Sequence, residues 1–394
     1  MVAHNLLCEV TFWQAYMKHK RLLVFFTYGV SLKTWKDAGT LERDIALYKK
    51  LQEKGIDTTF VTYGRTYDID IAREVCVDVF CNSFYLPRFL YFLCLPFLLY
   101  IKRIKFDIIK SHQFIGVLPA VVTKWLSKKK YYARGGYVPT YFFKAERYRS
   151  LKYFLRYIMT LCDELLIARY ADKICVPSAE EKRYLCKRHP RIQSSTFILQ
   201  PNWVDTDTFA PNLNVKKRNR SIIFVGRYEA QKNPLLFLES LRGIPDIEAT
   251  MIGSGSLYAD MVSFAQNNNL NVNIYKDRIE NRKLSQILCE HQVYVLTTSF
   301  EGGSPKTLLE AMSCGLSVIS SDTFGTREVF ADGKQGLICD LTADAFKKAI
   351  TFLLDNGEFR KTYGLQARRH IESYYSLDTV FINEYSLINE LLSI

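Results

Sequence analysis

The sequence predicts an α/β protein made of two doubly wound parallel-sheet domains facing each other across a cleft. Three observations lead there. Short, strongly apolar runs recur along the chain with helix-period segments between them. Strands this apolar are buried on both faces, as in a parallel sheet. The alternation occurs in two successive series, and right-handed crossovers wind each series into a sheet covered by helices. Between the series lies QPNWVDTDTFAPNLNVKKRN, residues 200–219, whose Pro, Asn, Asp, Lys and Thr content reads as a linker.

The elements follow in order. Residues 1–20 form an extension carrying His4, Glu9, His19 and Lys20, with no long apolar core or small-residue cleavage site to make it a secretory signal. Residues 21–28 (RLLVFFTY) read as a buried strand, followed by a loop. Residues 41–53 place Leu41, Ile45, Leu47, Tyr48 and Leu51 at helical spacing. Strand-like runs then occupy 58–63, 75–80, 107–110, 130–134, 173–176 and 196–199. After the linker, strands are expected at 221–225, 248–252, 272–275, 293–297, 316–320 and 336–339. Helices lie between them and at 343–354, 359–374 and 380–391. No short-period repeat or low-complexity segment interrupts the pattern.

Composition narrows the partners. The 394 residues carry a formal net charge of +13, which points to an anionic partner: a nucleic acid, an anionic lipid or a phosphorylated substrate. The ten cysteines show no C-x-x-C and no zinc spacing, so they read as reduced thiols in a cytosolic protein. FYLPRFLYFLCLPFLLYI, residues 84–101, is the most apolar stretch. Pro87, Arg88 and Pro96 leave it short of the roughly 20 apolar residues a membrane span needs. It reads as a buried or interfacial helix. A second stretch, KAERYRSLKYFLRYIM at 144–159, interleaves basic and aromatic residues as a membrane-surface helix does; a basic solvated face is the plainer account. No nucleic-acid-reading motif accompanies the charge, so nucleic acid is not expected as a partner.

The chemistry centres on SFEGGSPKTLLEAMSCG, residues 299–315. A strand, a Gly-rich turn and a helix form a phosphate-binding layout. Gly302 and Gly303 allow close approach of backbone N–H groups, and the helix N-terminus adds partial positive charge near Ser304, Lys306 and Thr307. Glu301 and Glu310 flank the turn, and carboxylates beside a phosphate site suit sugar hydroxyls. The ligand indicated is a nucleotide sugar; an ordinary surface turn is the alternative. At the first strand of the second series, IIFVGRYEAQKNP places Gly226, Arg227 and Lys232 in a strand-to-helix loop, where two cations can neutralise a diphosphate. Gly253, after the next strand, either lies near the nucleotide or makes a plain turn. In the first series, His112 follows the strand at 107–110, Gly39 sits in a turn before a helix, and Arg134 ends the strand at 130–134. Arg134 suits an anionic acceptor or a neighbouring carboxylate. No metal-ligand cluster is present in the pattern.

Taken together these segments resemble the retaining GT-B glycosyltransferases of the large family four, the glycosyl transferases group 1. The resemblance runs from Arg21 onward and rests on FVGRYEAQKN, EGGSPKTLLEAMSCGLSVISSD, PNWVDTDTFAP and FGTREVFADGKQGLICD. It implies two Rossmann-like domains, 1–200 on the acceptor side and 220–376 holding the nucleotide sugar. They are joined by 201–219, and 377–394 is a last helix that packs back on the first domain. It implies transfer with retention of configuration, no metal and no cofactor beyond a UDP- or GDP-linked co-substrate. It also implies surface-polysaccharide biosynthesis at the cytoplasmic face of a membrane. Residue by residue, Arg227 and Lys232 match the basic pair on the diphosphate, and Glu310 the Glu that holds the ribose. Ala38-Gly39 matches a Gly-Gly turn, and His112 the first-domain residue near the transferred sugar. The family separates its paired Glu residues by seven positions, whereas Glu301 and Glu310 are separated by eight. Either the turn holds one extra residue and Glu301 still reaches the sugar, or that contact is made differently. The spacing also admits a non-catalytic nucleotide-sugar-binding partner of such an enzyme.

Overall fold

The structure, a computed structural model, describes residues 19–393 except 146–150, 213 and 278. Residues 1–18 of the expected extension, and Tyr148 within the basic aromatic stretch, lie outside the described residues.

The first sheet contains β1 (Lys20–Phe25), β2 (Ile56–Val61), β3 (Asp78–Phe80), β4 (Ile108–Ser111), β5 (Lys130–Arg134), β6 (Lys173–Val176) and β7 (Phe197–Leu199). All pair in parallel, in the order β3-β2-β1-β4-β5-β6-β7. Its helices are α1 (Leu32–Asp37), α2 (Leu41–Glu53), α3 (Tyr67–Glu74), α4 (Arg88–Ile101), α5 (Leu118–Ser127), α6 (Pro139–Ala145), α7 (Leu151–Tyr170) and α8 (Ala179–Arg188). The second sheet contains β8 (Ser221–Val225), β9 (Glu248–Ile252), β10 (Val272–Tyr275), β11 (Val293–Leu296), β12 (Ser317–Ser321) and β13 (Gly336–Cys339). It is also parallel, in the order β10-β9-β8-β11-β12-β13. Its helices are α9 (Pro234–Ser240), α10 (Tyr258–Asn267), α11 (Asn281–Glu290), α12 (Lys306–Ser313), α13 (Phe324–Val329), α14 (Ala343–Asp355) and α15 (Gly357–Tyr374), and the chain closes with α16 (Leu377–Ser393).

The apolar runs form central strands because both faces find a core. On β1, Leu23 and Phe25 enter one cluster while Leu22 and Val24 enter the cluster on the other face. On β8, Ile223 and Val225 face one way and Ile222 and Phe224 the other. Each sheet changes winding direction once, between β1 and β4 and between β8 and β11. A doubly wound sheet opens a crevice at that place, beyond the carboxyl ends of the strands.

Two local expectations change. The loop after β1 contains α1, where Ser31 and Thr34 form a reciprocal cap and Leu32 and Trp35 are buried. Six residues are too few to show a helical period in sequence. The run at 75–80 becomes strand only at Asp78, because Val75 caps α3 and Cys76 turns at φ 55°. The linker is well packed rather than open. Trp203, Val204 and Phe209 are buried, and the Val204 backbone bonds to Tyr375 and Leu377 at the joint between α15 and α16.

From that joint α16 returns to the first sheet. Leu387, Ile388 and Leu391 enter the cluster of Leu22, Val24 and Phe60. Each such buried side chain contributes about 1.5–3 kcal/mol. Beside them Glu384, fully buried, accepts from the equally buried Lys110, from Tyr132 Oη at 2.7 Å and from Gln200. Burial alone would neutralise both charges. The partner charge prevails at each, holding Glu384 below the ordinary carboxylate range and Lys110 above the ordinary amine range.

Candidate active site

One cavity of about 1180 Å³ lies between the two sheets and receives the residues that leave both switch points. From the first half it is lined by Thr27 and Tyr28 after β1, Asp44 and Tyr48 on α2, Lys110 and His112 at the end of β4, and Arg134 at the end of β5. From the second half come Arg227 and Lys232 after β8, and Glu301, Gly303, Ser304 and Lys306 after β11. Residues as far apart as Asp44 and Lys306, 262 positions in sequence, meet here because both strand pairs end at the same gap.

The cations of the second half are arranged by short local bonds. Pro234 starts α9 and Asn233, in the left-handed region, turns the chain into it, which leaves Arg227 and Lys232 in the preceding loop. Arg227 donates to Gln231 Oε1 at 2.6 Å, and Gln231 Nε2 donates to the Phe300 carbonyl at 2.7 Å. Lys232 is paired with Glu301. The two strand-to-helix loops are therefore tied to each other. Lys306, the first residue of α12, sits 3.3 Å from Asp44 of the first half, and burial pushes its amine down to about 8.

Glu310 lies behind this cluster. Burial pushes its carboxyl up to about 7, with Arg43 and Lys306 offsetting part of that shift, and Arg43 Nη1 approaches it at 3.8 Å. Burial would also raise Asp44, but Lys306 and Arg43 pull it well below the usual carboxylate range. His112 is half-buried, packs against Trp35 and is hydrogen-bonded to Tyr48 Oη at 3.2 Å. Burial, with Lys110 behind it, lowers its imidazole to about 3, so it is neutral near pH 7. Arg134 is buried and donates to the Pro201 carbonyl at 3.3 Å, and among the described residues its Nε has no hydrogen-bond partner.

Several expected residues sit elsewhere than phosphate binding would put them. A Cβ on Gly302 would stand 2.5 Å from Glu181 Oε1, and one on Gly303 2.8 Å from the Pro177 ring. The glycine pair therefore admits first-half atoms: Ser178 Oγ donates to the Gly302 carbonyl at 2.7 Å and Asn202 Nδ2 to the Ser304 carbonyl at 3.0 Å. Thr307 places its hydroxyl 2.8 Å from Tyr294 Oη, outside the cavity lining. Gly253 lets β9 exit against Gly226, whose carbonyl a Cβ would meet at 1.9 Å, and neither glycine lines the cavity. Gly39 makes the turn between α1 and α2 at φ 64°. That turn brings Arg43 and Asp44 to the site, two residues not singled out from sequence. The signal was an adjacent Arg–Asp pair on the first turn of an otherwise apolar-faced helix.

Further contacts close the halves on each other. The Glu328 carboxylate accepts the Ala179 and Glu180 N–H groups at 2.8 and 3.0 Å, capping α8 from the other domain. Phe300 packs on Tyr141 and Phe142 with ring centroids 5.3 and 4.7 Å apart.

Comparison with known proteins agrees with this layout. Residues 205–370 match the family model for glycosyl transferases group 1, and residues 45–208 match that for Glycosyltransferase Family 4. A UDP-Gal:alpha-D-GlcNAc-diphosphoundecaprenol alpha-1,3-galactosyltransferase of Escherichia coli is 25% identical over 284 residues, which is 65% of this chain and 68% of that protein. A phosphatidyl-myo-inositol mannosyltransferase of Mycobacterium tuberculosis is 25% identical over 188 residues, 44% of this chain and 49% of that one. Among solved structures, Anabaena HepE in complex with UDP and glucose superposes with a TM-score of 0.74 at 13% identity, over 94% of this chain and 100% of that chain. The apo form of the lipopolysaccharide outer core galactosyltransferase WaaB gives a TM-score of 0.68 at 19% identity, over 94% and 99%. At these identities the structural likeness shows the fold: GT-B.

Proposed function

Because this chain belongs to the glycosyl transferases group 1, the GT-B glycosyltransferases of family four, we propose a specific reaction for it: transfer of a sugar, with retained configuration, from a nucleotide-diphosphate sugar to a hydroxyl of a glycan or lipid-linked acceptor. The observation that carries this is the convergence of Arg227, Lys232 and Lys306 with His112 and Arg134 in one interdomain cavity. Arg227, Lys232 and the N-terminus of α12 stabilise the charge that builds on the leaving diphosphate. Glu310 holds the ribose, and Glu301 faces the sugar. Neutral His112 lies beside the transferred sugar, and Arg134 lines the acceptor side. The transition state is oxocarbenium-like, and closure of the halves excludes water, favouring transfer over hydrolysis. The acceptor's proton passes to the leaving phosphate.

Three positive groups already face the diphosphate, so we assign no metal to the reaction. UDP- and GDP-linked sugars are the donors to test, and the setting is surface-polysaccharide biosynthesis at the cytoplasmic face of a membrane. The basic charge and the exposed apolar residues of α4 and α7 support peripheral attachment there. Among the described residues no helix is long and apolar enough to cross a membrane. The relatives named for a diphosphoundecaprenol and a phosphatidylinositol acceptor support an acceptor on a lipid.

The test is a panel of UDP- and GDP-sugars, with and without EDTA, read both by thermal stabilisation and by turnover. A ligand that binds only the folded state must stabilise it. One donor class should stabilise the wild type and support transfer in EDTA, and Arg227→Ala should lose at least 100-fold in rate. Stabilisation without turnover toward any acceptor preparation would make the chain a non-catalytic nucleotide-sugar-binding partner.

A further inference from the structure

The cavity is larger than the roughly 300–1,000 Å³ of an ordinary small-molecule site. Its lining from the first half includes a large apolar part. There α4, α6 and α7 contribute an apolar wall that includes Phe89, Phe92, Phe143, Ile158, Met159 and Leu166. Two polar groups of this wall, Asp163 and Thr160, are already engaged. Asp163 accepts the Gly116 and Val117 N–H groups at 2.8 and 3.1 Å, and Thr160 donates to the carbonyls of Arg156 and Tyr157. Arg156 also lines this side and is exposed, and none of the ion pairs among the described residues includes it.

The wall does not end inside the molecule. Phe89 and Met159 line the cavity yet are 64% and 63% exposed, so the apolar lobe opens outward between α4 and α7. Beyond it, Leu93, Phe97, Tyr100 and Ile101 continue along α4, and Leu151, Phe154 and Leu155 along α7, all exposed. Exposed apolar residues grouped in this way mark a surface that meets something apolar. Lys102, Arg103 and Lys105 follow at the end of α4.

We infer that this lobe is the binding site for the lipid phosphate portion of the acceptor. The hydrocarbon nearest the phosphate would lie along Phe89, Phe92, Ile158 and Met159. The phosphate would sit at Arg156, and the acceptor sugar would project toward His112 and Arg134. The inference rests on the glycosyltransferase reading and selects the lipid-linked class within it. The chemistry fits one occupant, an anion on a hydrocarbon chain: an exposed guanidinium with no carboxylate partner among the described residues suits phosphate, and a wall of Phe89, Phe92, Phe143, Ile158, Met159 and Leu166 suits hydrocarbon. A soluble oligosaccharide stacks its C–H faces on aromatic rings but has no apolar chain to cover the aliphatic Ile158, Met159 and Leu166.

The test uses radiolabelled farnesyl phosphate in equilibrium dialysis, below its micelle concentration, on the whole protein without donor. Saturable binding at least tenfold tighter than that of geranyl phosphate, and not displaced by inorganic phosphate at the same concentration, is expected. Met159→Glu puts a charge on an exposed position where the fold tolerates it; it should weaken farnesyl phosphate at least tenfold, while Met159→Leu restores it. Arg156→Ala should remove the preference for farnesyl phosphate over farnesol. Farnesyl phosphate binding no tighter than inorganic phosphate, or equal binding by wild type and Met159→Glu, would overturn the inference. UDP stabilisation of the wild type is read separately, so failure of the donor reading and failure of this one are distinct results.

Discussion

Removing Glu384 should release α16 from the first domain, and the size of the effect follows from its surroundings. Glu384 and Lys110 are both fully buried, 274 residues apart in sequence. Take away the carboxylate with Glu384→Leu and the Lys110 ammonium is left among Tyr48, Tyr132 and Arg134. Ring faces 4.8 and 5.6 Å away soften that loss but do not replace a charge. Breaking one side of a buried pair costs about 3–5 kcal/mol, whereas replacing both sides with apolar groups of similar size is often near neutral. Each 1.4 kcal/mol is tenfold, so either single change, Glu384→Leu or Lys110→Met, should speed amide hydrogen exchange across 377–393 by about two to three orders of magnitude. The double variant should return to within about tenfold of wild type. Exchange measured peptide by peptide suits this better than global unfolding, which is not two-state in a chain of two sheets. Single variants with less than tenfold acceleration, or a double variant as fast as the singles, would refute the idea that this pair fastens the helix.

Three further outcomes concern the site. Glu301→Gln frees Lys232 from its present partner, so UDP should bind about 3- to 10-fold tighter by calorimetry. Transfer should nonetheless slow by more than tenfold, and unchanged UDP affinity would mean that the pair persists in the complex. Nucleotide affinity should peak between about pH 7 and pH 8. Glu310, raised to about 7 by burial, gains its charge on the acid side of that window, and Lys306, lowered to about 8, loses its charge on the alkaline side. Lys306→Arg should abolish the alkaline limb alone. For stability the sign of the Glu310 contribution is opposite: its folded pKa is raised, so its contribution is present below the unfolded value and is lost as pH rises through about 7. Gly325→Ala would bring a Cβ to 2.5 Å from the Gly303 carbonyl, a backbone atom that cannot swing away. It should displace the 301–304 turn and lower UDP affinity at least tenfold, read by thermal shift, with the second domain still folded.

What could be read from the chain was local. The central strands announced themselves because each is a short apolar run with both faces buried, and the boundaries at 130–134, 173–176, 221–225, 248–252, 272–275 and 336–339 coincide with the observed strands. Arg227, Lys232 and Glu301 were visible because strand-to-helix loops of a doubly wound sheet are where ligands bind. Arg43, Asp44, Ser178 and Glu328 were not. Their meaning depends on contacts with the other half of the chain, such as Ser178 with Gly302 and Glu328 with Ala179, and no local pattern encodes a pairing over such separations. The same limit explains Gly302 and Gly303. From sequence, small residues in a turn signal close approach, but not by what; here it is Glu181, Phe142 and Pro177.

That last point changes how closure of the cleft is understood. The groups that join the two halves are largely the groups in line for the donor: Lys306 with Asp44, Glu310 with Arg43, and the 301–304 turn held by Ser178 and Asn202. Lys232 is likewise committed, to Glu301. An anionic donor entering beside these residues competes with Asp44 and Glu301 for the cations and leaves those carboxylates to find new partners. Sugar and ribose hydroxyls are suitable donors to them. Donor binding and domain contact thus draw on one set of charges, so occupancy of the nucleotide site alters how tightly the halves hold together. A ligand shifts such an equilibrium only by its difference in affinity for the two arrangements. The diphosphate, which meets the cations, and the sugar, which meets the carboxylates, should therefore act in opposite senses on closure: UDP alone loosens Lys306 from Asp44, and the complete nucleotide sugar links the halves again by donating its hydroxyls to the freed Asp44.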